Sequence, residues 1–303
     1  MYMKPWMFML LAFLGGCSFG ILSTFVKFAY AAGFTPAEVV GSQFFCGSVL
    51  LLIVVLIRRG GRLPLKMAGK LLLSGCTMAV TGLCYYQSLK YLDASIAIIM
   101  LFQFSWMGLI AEWILDRRMP DGKKWLSALL LFIGSLFAVN IVGASFKSLS
   151  MAGSAWGLAA AVTFTAFIFV SGRVGADVPA VTKSLYMSIG ALILVSIVFP
   201  PAFIFNGTLF GDGLIRYGLF LGLFGVVLPP LLFSISMPKI GSGLGTILSS
   251  SELPTAVFMS MAVLKEYVSL VQWIGVLIVL VGISLPGLLQ MYGRRPKQSG
   301  IES

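Results

Sequence analysis

The sequence predicts an all-α integral membrane protein: ten transmembrane helices arranged as two inverted five-helix repeats, with both termini cytoplasmic. Three observations predict it: a composition that cannot cover a water-facing surface, ten apolar runs of membrane-spanning length, and a likeness between the two halves of the chain. Of 303 residues, 59% are hydrophobic and 10% charged, against roughly 45–50% and about 25% in soluble domains. Mean hydropathy is +1.01. Histidine is absent, which removes a Ser-His-Asp or Cys-His nucleophile, a His-ligated zinc site and the usual pH switch. Cys17, Cys46, Cys76 and Cys84 sit in apolar runs without a C-x-x-C pair and read as small buried hydrophobes. No metal, cofactor or nucleic-acid partner is expected.

A bilayer core of about 30 Å takes about 20 apolar residues as helix. Such runs cover 5–28, 36–57, 67–90, 94–115, 124–142, 153–172, 180–205, 213–237, 241–264 and 268–289. Turn chemistry separates them at Arg58–Pro64, Arg117–Gly122 and Asn206-Gly207. The first run is longer than a signal-peptide core of about 7–15 residues and reads as a retained helix.

The net charge of +11 reflects orientation rather than nucleic-acid binding. With both termini inside, 16 of the 21 basic residues fall on the cytoplasmic side. Only Lys27, Lys90, Lys147, Arg216 and Lys265 fall outside, as the positive-inside rule requires.

Shifting the sequence by 148 positions puts Ile99 on Ile247, Trp125 on Trp273, Leu129 on Leu277 and Gly134 on Gly282, with span edges in step. A shift near 146 brings Lys27 onto Arg173 at the ends of spans 1 and 6. The chain therefore divides into a first repeat (1–142), an external connection (143–152), a second repeat (153–289) and a basic tail (290–303) lying on anionic headgroups. Five spans is an odd number, so the halves enter the membrane in opposite senses. Inverted repeats of this kind characterise secondary transporters, with a substrate site near the midplane.

Most charges lie near span ends, where Glu38, Glu112, Lys183 and Arg216 can anchor at the interface. Glu252 stands mid-span in Thr246-Ile-Leu-Ser-Ser-Ser-Glu-Leu-Pro254. An ionised carboxylate at that depth costs at least about 2.5 kcal/mol. It must therefore face a cavity, carry a proton, or hydrogen-bond a neighbouring helix, and it is the candidate for proton coupling. Pro254, a candidate helix break or gate, frees the Ser250 carbonyl one turn back, and the Ser249 and Ser250 hydroxyls beside it are candidates for the cavity wall with Glu252. In span 4, Gln103 and Trp106 share a helix face, an arrangement that suits either a metabolite cavity or plain packing. Tyr86 and Gln87 close span 3, at most one of Tyr85 and Tyr86 facing a cavity. Pro229 and Pro230 mark a break or gate in span 8. Gly241-x-Gly243-x-Gly245 reads as close helix packing, since no strand precedes it and no lysine follows.

The passage Tyr86-Gln-Ser-Leu-Lys-Tyr-Leu-Asp-Ala-Ser-Ile-Ala97, with Leu264-Lys265-Glu266, Gln272-Trp-Ile-Gly275 and Gly282, resembles the drug/metabolite transporter superfamily in its EamA-type branch. The resemblance covers about residues 5–289. It implies a secondary exporter of amino acids, related metabolites or toxic organic molecules in the inner or plasma membrane. It also implies a cavity lined by helices 1, 3, 4, 6, 8 and 9, with helices 5 and 10 packed aside. Glu252 and Pro254 then look like a helix 9 glutamate–proline signature, and Glu266 like the glutamate closing that helix. Three positions depart from the pattern: Leu253 separates Glu252 from the proline, Trp106 stands where a proline is common, and Gln43 where an arginine is frequent.

The expected partners are a small-molecule substrate, membrane lipids and protons, and a monomer is the expected state because the repeats pair within one chain. Import of the same substrates is the alternative within transport. An intramembrane enzyme lacks a base beside any nucleophile. A passive channel lacks a filter or ring symmetry.

Overall fold

A computed structural model describes residues 4–58, 63–89, 91–92, 94–117, 119–139 and 150–292. The connection at 143–149, Lys90 and the tail from 293 onward lie outside them. The first half comprises α1 (Pro5–Ala31), α2 (Pro36–Ile57), α3 (Leu65–Leu89), α4 (Ala94–Phe102), α5 (Phe104–Asp116) and α6 (Gly122–Ala138). The second comprises α7 (Met151–Arg173), α8 (Ala180–Val198), α9 (Ala202–Phe205), α10 (Leu214–Gly222), α11 (Leu228–Ile240), α12 (Ser242–Ser249), α13 (Glu252–Leu264) and α14 (Leu270–Tyr292). Among the described residues, eight helical runs are long and apolar enough to cross a membrane, and Leu270–Pro286 forms a shorter apolar helix.

Local chemistry sets the ends. Thr35 and Glu38 form a reciprocal capping box at the start of α2, with Pro36 in its first turn. The Ser150 hydroxyl accepts from the Gly153 N–H at the start of α7. The apolar run 180–205 breaks where its proline pair predicts: α8 stops at Val198 before Pro200-Pro201, which cannot continue its hydrogen-bond ladder.

Span 4, expected as a continuous helix, and span 9, expected to bend or break at Pro254, are each interrupted. At the first break Gln103 bonds Met100 rather than Ile99 through its N–H, and its side-chain amide takes the Ile99 carbonyl. At the second, Ser250 and Ser251 make i→i−3 bonds to Ile247 and Leu248, because Pro254 has no N–H and its ring crowds the carbonyl of Ser250. Gln103 and Ser251 coincide under the 148-residue shift. So do Arg117 and Lys265, the two non-glycine residues in the left-handed region among the described residues (φ 51° and 59°), which end α5 and α13. A β-carbon makes that conformation uncommon. Its recurrence at matched positions is a mark of the duplication.

Side-chain contacts fix the direction of each half. Ser251 donates to the Phe13 carbonyl (2.6 Å), Gly20 meets Thr255, and Lys27 meets Glu266 (2.8 Å), so α1 and α13 run parallel. In the same way Gly157 meets Met100, Thr165 donates to the Phe104 carbonyl (3.5 Å) and Arg173 pairs with Asp116 (2.6 Å), so α7 runs parallel to α4 and α5. Yet Gly108 meets Thr246 while Glu112 meets Gly243, so α5 and α12 are antiparallel. It follows that α1 and α7, the leading helices of the two halves, point in opposite directions.

The same contacts sort the helices into two sets. One joins α1, α2, α10–α11 and α12–α13; the other joins α3, α4–α5, α7 and α8. Each set mixes both halves, and exchanging the halves turns one set into the other. Helices α6 and α14 pair antiparallel beside them, with Gly134 against Gly275 and Gly282 against Leu130. Missing β-carbons let these backbones approach closely.

Candidate functional site

A cavity of about 390 Å³ lies between the two sets. Its wall comes from the C-terminal parts of α1 and α3, the N-terminal part of α2, Ile98 and Leu101 of α4, Phe164 of α7, and Glu252 and Ala256 of α13. All of these belong to the end of the bundle that carries Lys27 and Glu266. The resemblance implied helix 8 in the wall; instead α2 supplies Val40, Gln43 and Phe44, because α10 packs behind α2 through Gly218 and Gly222.

Glu252 begins α13 and is partly buried in that wall. Among the described residues its carboxylate has no ion-pair partner or hydrogen-bond donor. Tyr85, Tyr30, Tyr86, Gln43, Thr81 and Ser23 share the cavity with it. The floor is a packed aromatic plug. Phe19 lies 5.6 Å from Phe164, Phe164 lies 4.8 Å from Phe104, and Phe167 lies 6.0 Å from Phe233, centroid to centroid. Phe104, the repeat mate of Glu252, is fully buried in it.

At the mouth, Lys27 donates to Glu266 Oε1 at 2.8 Å, and Ser260 donates to the other oxygen. These two hydrogen bonds, the lysine's first, hold the Glu266 carboxyl below the usual carboxylate range. A carboxyl depressed in the folded protein adds stability above its unfolded value, about 4.3, and loses it as pH falls through the lower folded value. Both partners are about half exposed, so the pair contributes no more than about 1 kcal/mol. Lys27→Met is accordingly expected to lower Tm by at most roughly 2–4 °C from pH 5 to 8, the difference fading only below about pH 4. Thermal unfolding of the purified variant across pH checks this.

The opposite end is closed. Lys124 holds both oxygens of Glu112 at 2.8 and 2.7 Å, and that carboxylate lies against Gly243, where a β-carbon would occupy its place. Gly245 admits Met237 and Gly108 admits Thr246 in the same way. Arg173 pairs with Asp116 and lies over the Phe169 ring at 5.1 Å. Lys183, expected at an interface, is 1% exposed. It reaches inward to donate to the Ser171 carbonyl at 2.7 Å, near the end of α7, where helix carbonyls lack intrahelical donors.

The sequence-predicted site residues divide. Glu252 and Tyr86 line the cavity. Gln87 lines a second chamber of about 540 Å³, separated from the first by Tyr30 and Tyr86, which border both. Ser249 and Ser250 are fully buried behind the wall, donating to the Gly245 and Thr246 carbonyls of their own helix. Gln103 and Trp106 bond each other (2.7 Å) and stay outside the cavity. Pro254 sits in the first turn of α13. Pro229 and Pro230 open α11 directly after a π-helical turn, Leu223–Val227, where their missing N–H groups leave carbonyls unbonded one turn back.

Sequence reasoning passed over Ser23, Tyr30, Gln43 and Thr81 as cavity residues, and it allowed only one of Tyr85 and Tyr86 to face the cavity, whereas both line it. A signal existed in α1: Gly16, Gly20, Ser23, Lys27 and Tyr30 recur at helical spacing on one face.

A sequence profile described as the EamA-like transporter family matches residues 6–140 and 151–286. One solved crystal structure superposes with a TM-score of 0.74 at 18% identity, covering 92% of this chain and 98% of that one. That likeness concerns the fold alone. No curated protein sequence matches the chain.

Proposed function

The chain belongs to the EamA-like transporter family, and on that premise we propose that it is a secondary active exporter of small organic metabolites or toxic organic molecules in the cell membrane. Ten helices cross the bilayer with both termini cytoplasmic, so the cavity opens outward. The two helix sets rock about the aromatic plug, closing the outer cavity and opening a matched one at the Glu112–Gly243 end. Glu252 exchanges a proton during the cycle, and Pro229-Pro230 with the adjoining π turn and Pro254 supply the bends. The chain acts as a monomer.

The observation that carries this reading is a cavity open at one end, placed between two helix sets that exchange under the repeat symmetry. Alternating access through inverted repeats takes that form. The mid-membrane acid at its edge supports coupling. A metabolite-resolved comparison of cells with and without the gene tests the function. Overproducing cells are expected to accumulate at least one small organic molecule in the medium and to lose it from the cytoplasm. Identical media from both strains would remove the exporter reading.

A further inference from the structure

Resting on the carrier reading, we infer that the cavity selects organic cations, amines or quaternary ammonium ions on an aromatic or branched apolar body, over zwitterionic amino acids. Glu252 presents a carboxylate to the cavity, and no cation or hydrogen-bond donor among the described residues engages it. Such a group in an apolar wall needs a proton or a cation as partner. Lys27, the one cation among the cavity's lining residues, is held by Glu266. Among the described residues, a substrate's own carboxylate would thus meet no unpaired positive group in the wall and would be repelled by Glu252.

The rest of the wall agrees. Phe19, Phe44, Phe164, Tyr30, Tyr85 and Tyr86 line the same space, and aromatic rings attract organic cations through their quadrupoles. A volume of about 390 Å³ lies within the range of small-molecule sites. A quaternary ammonium ion donates no hydrogen bond, so charge and ring surface are what it needs, and both are present.

Binding is measured by calorimetry on the purified protein in lipid nanodiscs with three probes. Phenethylamine and phenylalanine differ by one carboxylate, and benzyltrimethylammonium carries a fixed charge. Both cations are expected to bind saturably, about tenfold or more tighter than phenylalanine. Glu252→Gln is expected to weaken them by a similar factor, and Glu252→Asp by less. Phenylalanine binding as tightly as phenethylamine to the unaltered protein would overturn the assignment without any variant. Counterflow of the same probes in proteoliposomes separates the two readings. Cations that bind through Glu252 but show no counterflow would contradict the carrier and leave the site standing. Phenylalanine counterflow without cation counterflow would leave the carrier and overturn the cation assignment.

Discussion

Glu252→Gln is expected to abolish accumulation driven by a pH gradient while leaving the protein folded. The amide has the shape of the acid, and no ion pair or hydrogen bond among the described residues depends on the carboxylate. What disappears is a charge that can be switched off by a proton. At mid-membrane depth that charge is worth about 2.5–3.5 kcal/mol, roughly 70-fold or more in the balance between two states. Uptake into proteoliposomes under an imposed pH gradient should therefore fall by about two orders of magnitude, and the rate of the variant should no longer vary with external pH between 5 and 8. Gradient-driven uptake at the wild-type rate would remove Glu252 from coupling. Because the Glu266 carboxyl is held below the usual carboxylate range, Glu266→Gln should leave the shape of the pH profile between 5 and 8 unchanged.

The second large effect is on stability. Where α3 crosses α8, a β-carbon on Gly75 would land on the carbonyl of Met187, and one on Gly190 on the carbonyl of Leu72. The obstacle in both cases is backbone, which cannot rotate away as a side chain can. Gly75→Ala and Gly190→Ala are each expected to destabilise the protein by about 1–3 kcal/mol, a Tm lower by roughly 2–6 °C or more. Gly69, in the same helix, has open space where its β-carbon would go. Gly69→Ala is expected to leave Tm unchanged or raise it slightly by restricting the unfolded chain. Thermal unfolding in detergent ranks the three; equal stability for Gly69→Ala and Gly75→Ala would contradict the close crossing.

Much of this architecture could be read from the chain because lipid imposes simple rules. Apolar runs of helix length locate most of the spans, and the 148-residue likeness reappears in the paired breaks at Gln103 and Ser251 and the paired left-handed ends at Arg117 and Lys265. The breaks themselves escape a hydropathy reading, since a single residue that shifts its hydrogen bond leaves the apolar run intact. Lys183 was misplaced for a related reason: proximity to a span end permits snorkelling, but the side chain turned inward to a helix-end carbonyl. Polarity alone found Glu252 and Tyr86 in the site, yet it also selected Ser249, Ser250, Gln103 and Trp106. Those four satisfy one another or their own helix, which requires no cavity. Gln43 and Tyr30 enter the wall through the packing of α2 and α1 around it. That depends on which helices become neighbours, information no single helix contains.

The rocking of the two sets is tested most directly by locking the end that is closed here. A β-carbon on Gly172 of α7 would lie 3.0 Å from the Ser242 hydroxyl of α12, a separation that suits a disulfide, and these two helices belong to different sets. Cysteines at both positions, in a chain whose Cys17, Cys46, Cys76 and Cys84 are replaced by alanine, should form a disulfide on oxidation. Oxidised protein in proteoliposomes is expected to show no counterflow, and reduction is expected to restore it. Equal counterflow from the oxidised and reduced forms, with the disulfide verified by mass spectrometry, would contradict alternating access between these sets.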